Sequence, residues 1–427
     1  MPAGDIWGRA AGLAIIGVVV AGLVLRSKRP QVPVWSIMAF ASFLAVISGL
    51  VGVDEVGSVV ELDVILFLVG MFSLVALAEE SGLLDALSYA VVSRVHSTLW
   101  LYVLSSFLFG LLAAITVNDT VALVGPPIAY VASRASGVKP EAFFLLLAFS
   151  LTIGSVMTPI GNPQNMLIAS GSGVQAPFIL FLYKLALPTL VNLAVTPLIL
   201  ARVFRIRNAR VEVVLIPEEA IQNRRDALLA GVGITATIFA LVANDLFELL
   251  GLPHMRNRGF IPFIVAAGLY LFASEPRKVL SRVDWGTVVF FISMFIAMSG
   301  VWRSGVLEPL LQTLLPAHIG GWLGLLRVTT ASIVLSQFLS NVPATGILIT
   351  QAKMLGYTGA DTAFWLAMAA ATTVAGNLTL LGAASNIIVL ESLESRYGYT
   401  ISFTRFLRVG VLVTTVNTLV YLVFILV

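Results

Sequence analysis

Four short polar interruptions in this chain carry residue types that could do chemistry. Two are the clusters Asn118-Asp119-Thr120 and Asn341-Val342-Pro343, each following a long apolar run. The other two share the pattern T-x-x-G-x-x-x-N: Thr158 to Gly161 to Asn165, and Thr379 to Gly382 to Asn386. Carboxamides and hydroxyls bind a solute through uncharged hydrogen bonds, and unwound carbonyls beside glycine can coordinate a cation. Asp119 is the one ionisable side chain at the four interruptions. A carboxylate set deep among apolar segments is costly and tends to take up a proton, so Asp119 is the expected carrier of a coupling proton or the ligand of a coupling sodium ion. Its alternative is a cap, with an oxygen accepting a bond from a nearby helix N–H; the two roles are compatible.

The elements that must position these residues follow from composition. Of 427 residues, 59% are hydrophobic and 11% charged, and the mean hydropathy is +0.99. A soluble domain needs more polar surface, so the solvent of this chain is lipid. The net charge of +3 is too small for a nucleic-acid footprint, and no cysteine is present. No G-x-x-x-x-G-K-[ST] phosphate loop, H-E-x-x-H zinc motif or nucleophile–base pair is visible, so no cofactor, metal or enzymatic activity is expected.

Apolar runs lie at 10–25, 32–53, 62–80, 99–117, 121–133, 141–172, 178–203, 226–250, 259–274, 284–302, 322–340, 344–355, 361–390 and 406–427. All should be helical, because backbone groups in lipid must pair within their own segment. The runs 121–133 and 344–355 are too short to cross. They predict two re-entrant helical hairpins, 99–133 and 322–355, with polar tips at membrane depth. Ten crossing segments remain. Assigning Lys and Arg loops to the cytoplasm places Arg26, Lys28 and Arg29 inside and most other basic residues with them. Arg256 and Arg258 are the clearest dissent.

The chain also resembles itself. Residues 70–84 and 293–307 share five of fifteen positions at an offset of 223, which also places Asn118 on Asn341. The two T-x-x-G-x-x-x-N motifs lie 221 apart. The reading is two repeats, 1–203 and 226–427, joined by a cytoplasmic linker, 204–225. Each repeat has five crossing helices and one hairpin, so an odd count forces the second to insert upside down. The spans 141–172 and 361–390 are broken at the midplane. Pro159, Gly161 and Pro163 should unwind the first, and Gly376 and Gly382, with no proline, should unwind the second more softly. Tips and breaks then meet in one pocket, with Asn118, Thr120, Asn162, Asn165, Asn341, Thr345, Asn377, Thr379, Ser385 and Asn386 as candidate substrate-binding residues beside Asp119.

Val117 through Pro127, Met157 through Asn165 and Ser340 through Pro343 together resemble the ion transporter superfamily, most closely arsenite permeases and related sodium/proton antiporters. Thr120 stands where the arsenite permeases usually have glycine. The resemblance implies a homodimer in the cell membrane, each protomer with a scaffold and a mobile transport domain. In related dicarboxylate carriers each tip reads Ser-Asn-Thr; here an acid stands at the first tip and Val342 replaces the second threonine. The expectation drawn from this is proton-coupled export of arsenite- or antimonite-like hydroxylated solutes. The alternatives are sodium/proton antiport and a sodium- or proton-coupled carrier of dicarboxylates or citrate. A separate ATPase subunit remains an open partner.

Overall fold

A computed structural model describes residues 6–28, 32–211, 217–315, 317–380 and 382–426. Arg29 and linker residues 212–216 lie outside them. The described chain is helical, with one isolated bridge between Ser97 and Arg210. The first half runs α1 (Ile6–Lys28), α2 (Val34–Ile47), α3 (Leu62–Glu80), α4 (Leu83–Val92), α5 (Thr98–Thr116), α6 (Asn118–Ser136), α7 (Pro140–Gly154), α8 (Pro163–Gly171) and α9 (Pro177–Val203). The second runs α10 (Arg224–Leu249), α11 (Phe260–Tyr270), α12 (Trp285–Arg303), α13 (Glu308–Leu314), α14 (Gly321–Leu339), α15 (Asn341–Met354), α16 (Thr362–Val374), α17 (Ala384–Tyr397) and α18 (Phe403–Leu426).

Among the described residues, eight helices are long and apolar enough to cross a bilayer, namely α3, α5, α7 with its extension to Met157, α9, α10, α12, α14 and α18. The chain is an integral, multi-pass membrane protein. The eight differ from the ten crossing segments read from sequence. α2 and α11 are shorter apolar helices, α1 is 23 residues long with a described apolar stretch of Ile6–Gly22, and the 361–390 run is divided by its break. α5 and α14, the first arms of the expected hairpins, are both included; at 19 residues each they have the length of a crossing helix.

The expected hairpin boundaries shift in one respect. Each polar cluster belongs to the first turn of the following helix, so the turn itself is one residue, Val117 or Ser340. α6 is therefore 19 residues long, not the short run 121–133. Asn118 and Asn341 begin helices because first-turn backbone donors have no intrahelical partner. Pro343 fits because a first-turn residue has no such bond to lose.

Packing follows the same plan in both halves. α5 lies on α7 as α14 lies on α16, and α12 lies on α2 as α3 lies on α11. α6 packs on α17, whereas α15 packs on α8, so each second arm rests on the far half of the other repeat's broken helix. Small residues let backbones meet at two crossings. A Cβ at Gly154 would lie 2.0 Å from Gly110 O, and one at Gly70 would lie 2.4 Å from Phe263 N.

Of the two basic residues that dissented from the cytoplasmic bias, Arg258 has acidic partners. Arg258 pairs with Asp245 at 3.2 Å and with Glu248. The same carboxylates accept the backbone N–H groups of Phe178 at 2.6 Å and Ala176 at 2.9 Å, which ties the start of α9 to α10. Arg303 pairs with Glu55 and holds that exposed carboxyl below its ordinary range through a direct hydrogen bond. Arg258 is thus engaged in a local network at the start of α11.

The linker is docked. Thr98 N–H donates to Ala209 O at 3.0 Å, Val211 N–H to His96 O at 3.0 Å, and Gln222 N–H to Ser81 O at 3.0 Å. It thereby straps both ends of α4.

The glycine contacts give a direct check. Gly154→Ala and Gly70→Ala should each lower the melting temperature in detergent, because overpacking against backbone costs about 1–3 kcal/mol or more. Gly17→Ala and Gly268→Ala, where a Cβ meets nothing within 4 Å, should melt at or above wild type.

Candidate functional site

Both hairpins turn on a residue with a backbone conformation that favours glycine. Val117 has φ 73° and ψ 136°, and Ser340 has φ 69° and ψ 161°. Such positions cost on the order of 1–3 kcal/mol and persist where surrounding structure overdetermines them. At the first tip Asn118 N–H donates to Gly161 O at 2.9 Å, pinning the hairpin to the first break.

The breaks explain the T-x-x-G-x-x-x-N pattern. Past α7 the chain makes a single 3-10 turn, Ser155–Met157, then runs irregularly to Pro163, which opens α8. The freed carbonyls find a donor in one side chain: Asn165 Nδ2 donates to Ser155 O at 3.1 Å, Val156 O at 3.2 Å and Thr158 O at 3.1 Å. Asn386 Nδ2 repeats two of these bonds 221 residues later, to Gly376 O at 2.6 Å and Thr379 O at 3.3 Å. The glycine N–H closes each turn, Gly161 onto Thr158 O at 3.3 Å and Gly382 onto Thr379 O at 3.0 Å. The threonine hydroxyl fastens each joint to its hairpin: Thr158 donates to Ala114 O at 2.5 Å, and Thr379 to Gln337 Oε1 at 2.9 Å. The second break, expected to be softer, also interrupts its helix completely, between the 3-10 turn Ala375–Asn377 and α17. Two glycines and the Asn386 clasp suffice without proline.

The two joints touch. Asn162 Nδ2 donates to Thr373 Oγ1 of α16 at 3.3 Å, and Thr373 Oγ1 donates to Asn165 Oδ1 at 3.3 Å. From the other side Asn377 Nδ2 donates to Phe149 O of α7 at 3.4 Å.

A cavity of ≈ 230 Å³ lies where tips and breaks converge. At roughly 30 Å³ per water it holds about seven waters or one small solute, below the 300–1,000 Å³ usual for drug-sized ligands. Tips and breaks contribute Asn118, Asp119, Pro163, Gln164, Leu339, Ser340, Asn341, Val342, Ala383, Ile387 and Ile388 to its lining; α2 and α12 contribute Val34, Trp35, Met38, Asp284, Thr287, Phe290 and Phe291 among others. Four helices begin at the cavity: α6 at Asn118, α8 at Pro163, α15 at Asn341 and α17 just beyond Ala383. Each N-terminus presents backbone donors and about half a positive charge.

Of the candidate residues, Asn118, Asp119 and Asn341 line this cavity. Asn162, Asn165, Thr379 and Asn386 lie behind it in the joints. Thr345 Oγ1 donates to Asn341 O at 2.7 Å within its own helix. Thr120, Asn377 and Ser385 are buried outside the lining. Pro163 opens a helix at the wall, while Pro159, Gly161, Gly376 and Gly382 shape the backbone behind it. The side-chain oxygens Asn118 Oδ1, Asn341 Oδ1, Asn377 Oδ1, Asn386 Oδ1 and Ser385 Oγ are buried without a hydrogen-bond partner among the described residues, which leaves acceptors for an external donor or cation.

The candidate set read from sequence leaves out Gln164, Gln337 and Asp284. Gln337 carried a usable signal, since it stands 223 residues after Ala114. Asp284 reads as an interfacial cap, and it does cap α12, accepting Thr287 N–H at 3.0 Å, but it also lines the cavity. Asp63 lies 221 residues before it and instead accepts Gly259 N–H at 2.6 Å.

A multi-spanning helical protein whose small cavity, largely apolar with a few convergent polar groups, sits among interrupted helices has the architecture of a secondary transporter. The family model described as "Citrate transporter" matches residues 16–373. The chain therefore belongs to the citrate transporter family, within the broad ion transporter superfamily. An uncharacterized transporter of Mycobacterium tuberculosis is 27% identical over 420 residues, covering 94% of this chain and 95% of that one. The silicon efflux transporter of Oryza sativa subsp. japonica is 25% identical, covering 72% and 75%. A putative transporter of Dictyostelium discoideum named arsB is 22% identical, covering 86% and 83%. Among solved structures, the YdaH transporter of Alcanivorax borkumensis superposes with a TM-score of 0.53 at 14% identity, covering 87% of this chain and 86% of that one; the likeness is one of fold.

The joints generate a graded prediction. Asn165→Ala removes three donated bonds and the one accepted from Thr373, and Asn386→Ala removes two donated bonds, at about 0.5–1.5 kcal/mol net for each bond, since Thr158 O and Thr379 O keep the glycine N–H and Ser155 O keeps Asn162. Both should lower the melting temperature, Asn165→Ala more, with faster amide hydrogen exchange confined to 155–165 in the first and 375–386 in the second.

Proposed function

We propose that this protein is a cation-coupled carrier of small oxyanions, with citrate-like carboxylates as the first substrate class. The carrying observation is the convergence of four helix N-termini on one cavity. With no Lys, Arg or His in the lining, backbone dipoles and the amides of Asn118, Gln164 and Asn341 supply the positive potential an anion needs. The family match supports this reading over the arsenite export expected from sequence. In it, Asp119 binds the coupling proton or sodium ion, which offsets the charge of the incoming anion.

The arrangement of the halves serves this cycle. Joints built from the same bonds at the same sequence offsets support an inverted repeat with re-entrant hairpins. Two such halves of similar energy can exchange conformations and present one site to either side in turn. Val34, Trp35 and Asp284 stand just after the basic stretches 26–29 and 277–282, so in the assigned orientation this cavity reaches toward the cytoplasm. A homodimer is part of the proposal on family resemblance alone.

A second reading is transport of a neutral hydroxylated solute such as arsenous, antimonous or silicic acid. It is favoured by the uncharged amides and Ser340 at the wall, and by the names of the rice and Dictyostelium relatives.

Purified protein in liposomes separates these readings. Labelled citrate should accumulate when a proton or sodium gradient is imposed, and Asp119→Asn should cut gradient-driven uptake at least tenfold. Uptake of arsenite or silicic acid without citrate uptake would replace the first reading with the second. Sodium-dependent proton flux without added solute would replace both with antiport.

A further inference from the structure

The cavity holds a second carboxylate that the proposed cycle does not yet use. Among the described residues lining it, the charged side chains are Asp119 and Asp284. They come from different elements: Asp119 from the first turn of α6, and Asp284 from the start of α12, which packs on α2. Asp284 Oδ1 accepts Thr287 N–H at 3.0 Å and Oδ2 accepts Thr287 Oγ1 at 2.5 Å. Those bonds fix the carboxylate without neutralising it. Its basic near neighbour in sequence, Arg282, is paired with Glu80 at 3.4 Å. Other residues reaching the cavity beside it are Trp35 of α2 and Val342 of α15, neither of them charged.

A second observation points to a ligand here. Asn118 Oδ1 and Asn341 Oδ1 belong to side chains only 5% exposed that line the same space, and both lack a partner. Two carboxylates sharing about 230 Å³ repel each other and any anion that joins them unless a cation is present. The two unpartnered amide oxygens are acceptors of the type that ligates such a cation.

We propose that Asp284 is a second coupling carboxylate, binding a proton or sodium ion in the cavity it shares with Asp119, so that an anion is admitted only with more than one cation. This rests on the oxyanion reading above. Asp63, its counterpart in the first half, is outside the lining and provides the control.

The test is Asp284→Asn in liposomes. Asparagine is as good a helix cap as aspartate, so expression and melting temperature should match wild type. The cation-to-citrate stoichiometry, read from the reversal potential under imposed proton and sodium gradients in separate arms, should fall by one. The gradient arm that changes identifies the ion. Asp63→Asn should leave the stoichiometry unchanged. An unaltered stoichiometry in Asp284→Asn, or an equal fall in Asp63→Asn, overturns the proposal. If wild type carries no citrate, the oxyanion reading fails by itself, and a solute-free arm decides the carboxylate. Carbodiimide labelling mapped by mass spectrometry should rise at Asp284 on acidification or be suppressed by sodium. Labelling indifferent to both overturns the proposal.

Discussion

Backbone that leaves a helix inside a membrane must find new partners, and the architecture of this protein depends on how that need is met. Asn165 and Asn386 each collect carbonyls released at a break. Because those carbonyls are satisfied by one side chain, the helix can stop and restart within a few residues. The restart turns helix N-termini toward a common space, and the electrostatics of the cavity follow from it. Stability and binding potential therefore come from the same residues.

The sequence disclosed the plan of the fold more fully than the detail of the site. Lipid as solvent, the offset between halves and the positions of the interruptions are all legible, because hydrophobicity and repetition are properties of the chain itself. Hairpin geometry was less so. Asn118-Asp119-Thr120 reads as a loop from its polarity, yet its residues open a helix, since first-turn donors need no helical acceptor. The break without proline looked weak on propensity alone, because propensity ignores the Asn386 clasp.

At the site, polarity marked the right neighbourhood but could not separate wall from mortar. Asn118 and Asn341 face the cavity, whereas Asn165 and Asn386 serve the backbone, although all four are asparagines beside interruptions. Asp284 shows the reverse: it satisfies the rule for a cap and still reaches the cavity, because α12 begins at its wall. The choice between side chain as ligand and side chain as scaffold is made by tertiary contacts that spacing does not encode.

The joints also govern how far the two halves can drift apart. Asn165 and Asn386 bind main-chain oxygens, and a main-chain oxygen is the same atom whatever side chain stands above it. Pro-Ile and Asn-Pro-Gln in one motif stand where Leu-Leu and Ala-Ala-Ser stand in the other, and the clasp does not read them. Percentage identity therefore understates kinship between such halves: three letters in eight preserve the clasp, while the other five differ between the two motifs. Even the hairpin contact has been exchanged, from the main-chain oxygen of Ala114 to the side chain of Gln337, with the threonine donor retained.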